Sequence, residues 1–186
     1  MKNKHLFPWW AGYMLISPLR RLSIDPELFL RQYIEEGMTV IDAGCAMGFF
    51  SIPAGHIVGK NGKVLCVDLQ ERMLRVLGKR AVKHGVDQQV ITRKCSEDWL
   101  MIDDFSGKAD AAIAFGVVHE VPDEKAFLGE LSRALKPGGM LIMGEPKNPV
   151  PENVFRQNII KAEASGFRVM SVEEKPSFRI ALLSKK

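Results

Sequence analysis

The chain has 186 residues, of which 46% are hydrophobic, enough for one α/β domain with a buried core. Its net charge of +4 comes from residues 1–24, which hold Lys2, Lys4, Arg20, Arg21 and no acidic residue; the remainder carries 22 basic and 22 acidic residues. That balance argues against a broad nucleic-acid surface. The three cysteines show no disulfide or zinc spacing, so we predict a cytoplasmic protein without a metal site.

Residues 1–24 are predicted to form an N-terminal arm. The arm carries no charge from Leu6 to Leu19 and is too short to span a bilayer. Its aromatic residues are Phe7, Trp9, Trp10 and Tyr13. Three roles stay open: a lid in which Trp9, Trp10 and Tyr13 contact a substrate, peripheral contact with a membrane surface, and plain packing on the core.

Residues 25–186 are predicted to form a single domain. Its first helix runs from Asp25 to Glu36, with Asp25 as N-cap and Pro26 at the first helical position. A strand from Thr39 and a helix from about Gly48 to Val58 follow. Further strands are predicted at 64–68, from 90, at 110–115 and at 140–144, and further helices at 71–84, 123–135 and 152–165. Strands 167–174 and 178–184 share a three-residue turn, so they must be antiparallel.

The segment from Thr39 to Gly48 is a strand that ends in a glycine-containing turn before a helix. This arrangement is typical of nucleotide-binding corners, where glycine permits φ > 0 and helix amides face the ligand. Asp42 stands on the strand just ahead of Gly44. Its charge would repel a pyrophosphate and suits the methionine end of S-adenosylmethionine. The turn therefore favours a nicotinamide-dependent oxidoreductase less than a protein that binds S-adenosylmethionine.

The stretch from Asp42 to Gly48 resembles motif I of the class I S-adenosylmethionine-dependent methyltransferases, with Ala46 in place of the middle glycine. Two later segments, 115–123 and 131–139, are similar to the Leu-His-His-Val-Pro-Asp and Arg-x-Leu-Lys-Pro-Gly-Gly segments of small-molecule methyltransferases of the type 11 and quinone-biosynthesis kind. The resemblance covers Met38 to Gly144. It implies a Rossmann-like, seven-stranded, mostly parallel sheet with an antiparallel last strand and helices on both faces.

The resemblance also implies a set of cofactor-binding residues for S-adenosylmethionine and its product S-adenosylhomocysteine. Asp68, 20 residues after Gly48, is expected to accept the ribose hydroxyls, the alternative being a helix cap. Cys95 stands where the family has the aspartate that holds the adenine amino group, and Trp99 either walls the adenine pocket or belongs to the core. The complete set is Asp42, Gly44, Cys45, Ala46, Gly48, Asp68, Leu69, Cys95, Ser96, Glu97, Phe115 and Gly116.

His119 follows the fourth predicted strand and is the candidate catalytic residue, as a general base, or else a helix-start residue that caps or packs. The loop from Pro146 to Pro151 is short, so the N-terminal arm is the candidate lid. Its composition suggests an apolar or aromatic small-molecule acceptor. The alternative function is a non-catalytic S-adenosylmethionine-fold protein that binds a partner or a membrane through the arm. The oligomeric state is left open.

Overall fold

The computed structural model of the chain describes residues 8–186, which form a seven-stranded sheet with helices around it. The strands are β1 (Thr39–Ala43), β2 (Lys63–Asp68), β3 (Val90–Lys94), β4 (Ala109–Phe115), β5 (Leu135–Pro146), β6 (Phe167–Glu174) and β7 (Phe178–Lys185). Their order is β3-β2-β1-β4-β5-β7-β6. β7 is antiparallel to both β5 and β6, whereas β2 is parallel to β1 and β3, and β4 to β5. The predicted fold class is confirmed.

The helices are α1 (Gly12–Leu15), α2 (Pro18–Arg21), α3 (Pro26–Leu30), α4 (Ser51–Val58), α5 (Glu71–Lys83), α6 (Glu124–Ala134) and α7 (Glu152–Ala164). Short 3-10 helices lie at Trp9–Ala11 and Asp103–Phe105. None of the helices in the described part of the chain is long and apolar enough to cross a membrane. The chain divides into two compact units, one ending at Cys95 and the other covering Ser96–Lys186. That residues 25–186 form one domain stays a prediction.

In the first unit, two helices begin or end differently from the prediction. α3 starts as expected, because Asp25 Oδ1 accepts hydrogen bonds from the amides of Glu27 and Leu28, both at 3.0 Å. It ends at Leu30 rather than Glu36, where the amide of Tyr33 makes a tighter i→i+3 bond to the Leu30 carbonyl. α4 starts at Ser51 rather than Gly48, because Gly48 has a φ of +81° that no right-handed helix accepts.

The core of the first unit lies between the apolar strands and one face of α5. Val64, Leu65, Cys66 and Val67 of β2 are fully buried, as expected of a strand covered on both faces. α5 is amphipathic, and it buries four residues that share one face of the helix: Met73, Leu74, Leu77 and Ala81.

In the second unit, the turn from Lys136 to Gly139 differs from the prediction. It was expected to separate the helix from a strand starting at Met140, but β5 already begins at Leu135. The pairing with β4 jumps from Ala109↔Leu135 to Ala111↔Met140, so the turn bulges out of the ladder while the strand continues on both sides. The predicted antiparallel hairpin of the last two strands is confirmed.

Candidate functional site

The glycine-containing turn after β1 adopts left-handed backbone at three positions. Gly44, Ala46 and Gly48 have φ angles of +73°, +47° and +81°. The amides of Gly44 and Cys45 donate to the carbonyl of Val67 at the end of β2, at 2.8 and 3.0 Å. The turn is therefore fixed against the neighbouring strand by main-chain hydrogen bonds.

Asp68 ties this turn to the loop after β2. Its Oδ2 accepts from the amide of Ala46 and its Oδ1 from the amide of Gln70, both at 2.8 Å. The N-cap of α5 is Gln70, so Asp68 is not the cap of that helix. Burial raises the pKa of Asp68, and the two amide hydrogen bonds oppose that rise. A carboxylate offers about four lone-pair positions, which leaves acceptor capacity beyond these two bonds.

Asp42 lies beneath the turn and is 3% exposed. Its Oδ2 accepts a hydrogen bond from the hydroxyl of Ser51, the first residue of α4, at 2.5 Å. Burial raises its pKa to about 7, and the nearby charge of Asp68 adds to the rise, while Ser51 and Arg20 act in the opposite direction. Sequence reasoning assigned Asp42 to a ligand and missed the partnership with Ser51.

The arm packs on the turn through small and cationic residues. A Cβ at buried Gly12 would lie 2.9 Å from the Met47 Cε atom, so α1 contacts the turn directly. The Arg20 guanidinium lies 4.3 Å from the centre of the Phe49 ring and donates to the Leu15 carbonyl at 3.0 Å. Burial lowers the pKa of Arg20 to about 10, which leaves it charged at neutral pH.

The aromatic residues of the arm are partly exposed. Trp10 and Tyr13 are 63% and 53% exposed, and the Trp9 ring lies 5.1 Å from the Arg72 guanidinium in a cation–π contact. The aromatic residue Phe7 and the basic residues Lys2 and Lys4 lie outside the described residues. Substrate contact by the aromatic side chains stays a prediction.

The predicted adenine-binding segment divides between the two units. In the first, the Cys95 amide donates to the Asp68 carbonyl at 3.1 Å, and Leu69 is half-buried. In the second, Ser96 and Glu97 are exposed, and Trp99 is 51% exposed. Core packing of Trp99 is therefore wrong. Trp99 and Ser96 line an open surface cavity together with Met101, Asp103 and Asp104.

Cys45 is buried within the turn, and burial raises the pKa of its thiol well above the ordinary value. A buried, neutral thiol leaves only the backbone of Cys45 for ligand contact. Among the described residues, no group of three or more His, Cys, Asp or Glu side chains could hold a metal ion.

In the second unit, the ends of β4 and β5 are held together by a main-chain hydrogen bond and by the packing of an aromatic ring. The Gly116 amide donates to the Gly144 carbonyl at 2.7 Å. The Phe115 ring covers Gly144, where a Cβ would lie only 2.3 Å from the ring, and it meets Phe178 edge-on at 5.1 Å between centroids. The Phe115 side chain is thus packed on the sheet.

His119 lies in the loop after β4, beside Glu145 near the end of β5. The Glu145 side chain is 1% exposed; its Oε2 lies 2.6 Å from His119 Nδ1, and its Oε1 accepts from the His119 amide at 3.0 Å. Sequence reasoning found His119 and missed Glu145. The available signal was an acidic residue directly after the apolar run of β5, at the strand end where ligands of α/β sheets bind.

The structure thus brings Asp42, the turn residues Gly44 to Gly48, and Asp68 together in one unit. It places Phe115, Gly116 and His119 together in the other. Asp42, Asp68 and the left-handed turn place two buried carboxylates beside main-chain amides. His119 and Glu145 form a hydrogen-bonded acid–imidazole pair.

Comparison with known proteins gives consistent matches. The family model described as "Methyltransferase domain" matches residues 34–177. A demethylmenaquinone methyltransferase of Staphylococcus saprophyticus is 34% identical over 124 residues, which are 67% of this chain and 51% of that protein. A ubiquinone/menaquinone biosynthesis C-methyltransferase of Hahella chejuensis is 29% identical over 153 residues, 78% of this chain and 60% of that protein.

Among solved structures, the crystal structure of a SAM dependent methyltransferase from Aquifex aeolicus has a TM-score of 0.88 and 28% sequence identity, with 97% of this chain and 100% of that chain covered. The chain spans little more than half the length of the two curated relatives. The similarity to the solved structure extends over nearly all of this chain.

Proposed function

The chain belongs to the methyltransferase-domain family, and we propose that it transfers a methyl group from S-adenosylmethionine to a small-molecule acceptor. The observation that carries the proposal is the Asp68 carboxylate, which is hydrogen-bonded to the Ala46 amide of the turn while Asp42 lies buried beneath it. This arrangement offers negative charge and hydrogen-bond acceptors where a nucleotide cofactor would be held.

The residues of the turn fit S-adenosylmethionine better than a dinucleotide. The buried carboxylate of Asp42 would oppose a pyrophosphate, whereas it favours an ammonium and a sulfonium. Asp68 keeps acceptor capacity for the two ribose hydroxyls after its bonds to Ala46 and Gln70.

In this proposal Asp68 holds the ribose, and the main chain from Gly44 to Gly48 holds the methionine part with Asp42 as its counter-charge. Leu69, Cys95, Ser96 and Glu97 line the adenine side, and Phe115 and Gly116 contribute main-chain groups. When bound, S-adenosylmethionine supplies a methyl group already activated by its positive sulfur. The protein's part is to align the acceptor with that methyl group and exclude water.

The acceptor is proposed to be an apolar or aromatic small molecule. The curated relatives are named for quinone-biosynthesis methylation, and the arm carries Trp9, Trp10 and Tyr13, which could cover a ring-shaped acceptor. The arm's contact with the turn, through Gly12 and Met47, supports a position next to the cofactor. A cytoplasmic location is part of the proposal.

Calorimetric titration tests the cofactor first. S-adenosylhomocysteine should bind saturably, and NAD should give no binding heat. Release of S-adenosylhomocysteine is then measured with a panel of acceptors: phenols, catechols and naphthoquinols without a ring methyl group. Turnover on any of them separates an enzyme from a non-catalytic binding protein, and saturable NAD binding without a response to S-adenosylhomocysteine would overturn the proposal.

Replacement of Asp68 tests the ribose assignment. Asp68→Ala should weaken S-adenosylhomocysteine binding by about 2–4 kcal/mol, because it removes two charge-assisted hydrogen bonds to the ribose. Asp87→Ala, at an exposed carboxylate after α5, is the matched control and should bind like the wild type. Equal dissociation constants for the Asp68→Ala protein and the wild type would show that Asp68 only fixes the turn.

A further inference from the structure

His119 and Glu145 make two polar contacts with each other, one through the imidazole and one through the main-chain amide, which packing at a helix start does not require. Glu145 uses both carboxylate oxygens on one residue: Oε2 lies 2.6 Å from Nδ1, and Oε1 accepts the main-chain amide at 3.0 Å. The carboxylate is buried, with 1% of its side chain exposed, while the imidazole keeps 19% exposed. Two-point attachment to a buried anchor fixes both the position and the rotation of the ring.

We infer that His119 is the general base of the methyl transfer, that Glu145 is its positioning residue, and that the acceptor is therefore one that must lose a proton, such as a phenol or a quinol. The inference rests on the proposed function and deepens it. A buried carboxylate that accepts from Nδ1–H holds the neutral ring with its lone pair on Nε2 and stabilises the imidazolium once it forms.

The placement of the pair fits this role. His119 follows the carboxyl end of β4, and Glu145 directly follows Gly144, which pairs with Phe115 at that end. Ligands of open α/β sheets bind outside the carboxyl ends of the strands. An acceptor at this edge is within reach of an imidazole whose Nδ1 side is turned to the sheet.

The proton and electron movements balance without a further reactant. The acceptor's O–H proton passes to His119 Nε2, and its oxygen, or the ring carbon activated by that oxygen, forms a bond to the methyl carbon. The methyl–sulfur bond breaks with its electron pair left on sulfur, which becomes a neutral thioether. The imidazolium then returns its proton to water.

Charged side chains lie on the elements around this ring. Glu145 on β5 contacts Nδ1, Glu120 in the same loop has an oxygen 3.9 Å from Nε2, and Arg179 on β7 is paired in register with Glu145. The two carboxylates favour the imidazolium. Replacing Glu145 by a neutral residue should therefore move the rising limb of kcat/KM to lower pH.

Glu145→Gln is the informative substitution because only one of the two acceptor oxygens remains. If that oxygen keeps the His119 amide, the new NH2 group faces Nδ1 and makes it an acceptor, which drives the ring proton to Nε2. The variant should lose about 10²-fold or more in kcat, with KM little changed. Glu145→Asp keeps the charge and should recover part of kcat.

The tautomer of the His119 imidazole can be determined without turnover, by long-range ¹H–¹⁵N correlation spectra of the histidine side chains. A His119→Gln spectrum assigns the His119 signals among the four histidines of the chain. The wild-type ring should carry its neutral-state proton on Nδ1, and Glu145→Gln should move it to Nε2. Glu152→Gln, at an exposed carboxylate that pairs with Arg156 one turn along α7, is the matched control and should change neither the spectrum nor kcat.

The tautomer and the kinetics together separate a positioning role of Glu145 from a purely structural one. An Nε2–H tautomer in the wild type, or an unchanged tautomer and kcat in Glu145→Gln, would overturn the inference. Loss of kcat with an unchanged tautomer and pH profile would reduce Glu145 to a structural residue. Calorimetry with S-adenosylhomocysteine separates this from the proposed function: intact binding in every variant leaves that function standing, whereas failure of the wild type to bind overturns it on its own.

Discussion

At the scale of single residues, the raised pKa of Asp42 predicts how the stability of the fold changes with pH. Its pKa is about 7 in the folded chain because of burial, against an ordinary value of 3.8. Between these values the folded state holds a proton that the unfolded state has lost, so the free energy of unfolding should fall as pH rises, by roughly 1.4 kcal/mol per pH unit at most. Asp42→Asn should make that decline shallower, leaving the part that belongs to the raised pKa of Asp68, as measured by urea unfolding between about pH 4 and 7.

An exposed carboxyl provides the comparison for this titration. Asp87→Asn should keep the wild-type slope, since Asp87 is exposed on the same unit. Parallel stability curves for the wild type and Asp42→Asn would mean that Asp42 ionises at its ordinary pH in the folded protein. Bound S-adenosylmethionine, with its positive charges nearby, should flatten the wild-type curve as well.

The residue scale also shows what a sequence can predict about a site. The positions of Asp42, Asp68 and His119 on or after apolar strands were predictable from the sequence, and their roles in a site stay predictions. The contacts of Ser51, Arg20 and Glu145 were not predictable. Their roles depend on side-chain partners 9 to 29 positions away, as in the bonds of Ser51 to Asp42 and of His119 to Glu145 and the contact of Arg20 with Phe49. No periodicity encodes a pairing at that distance.

At the scale of elements, the turn and α5 depend on each other through Gly48. A Cβ there would lie 2.3 Å from Leu77 Cδ1, and the φ of +81° disfavours any side chain. Gly48→Ala should therefore combine left-handed strain of about 1–2 kcal/mol with overpacking of about 1–3 kcal/mol. It should lower the thermal midpoint and weaken S-adenosylhomocysteine binding.

Gly85 offers a control for the strain alone, because its φ is +68° and a Cβ would meet nothing within 4 Å. Gly85→Ala should show only the strain. Adding Leu77→Ala to Gly48→Ala should remove the clash, so the double variant should be more stable than the sum of the two single losses. Strict additivity would contradict the contact between Gly48 and Leu77.

The same scale explains why element boundaries were harder to predict than the elements. All seven strands were expected, because apolar runs between turn residues indicate buried strands. The start of α4 and the extent of β5 were wrong by several residues. Backbone geometry decided both: positive φ at Gly48 delays the helix, and the strand resumes pairing beyond the bulge at Lys136–Gly139.

At the scale of the whole molecule, the fold class was predictable from the sequence, and the contacts of the arm were not. The sequence of βα units and a closing hairpin leave few topologies, so the fold class was predictable and is confirmed. The arm has no such constraint. Its contacts, Gly12 with Met47 and Arg20 with Phe49, join residues whose pairing only the folded chain reveals.

The last prediction concerns the N-terminal arm. Because it rests on the turn that is proposed to hold the cofactor, ligand and arm should stabilise each other. Tryptic cleavage of the full-length chain at Arg20, whose guanidinium lies over the Phe49 ring, should slow when S-adenosylhomocysteine is added. Cleavage at Arg168 on β6, far along the chain from the turn, should change less and serves as the internal reference.

Two variants sharpen this experiment. Arg20→Ala removes the contact with Phe49 and should weaken S-adenosylhomocysteine binding, whereas Trp10→Ala, at a residue 63% exposed, should leave cofactor binding unchanged and lower turnover if the ring covers the acceptor. Contact of the arm with a membrane surface, the competing role, is tested by repeating the digest with anionic lipid vesicles. An arm protected by vesicles and indifferent to S-adenosylhomocysteine would contradict the lid and establish a membrane-binding arm, because exposed tryptophan beside cationic residues is suited to that interface.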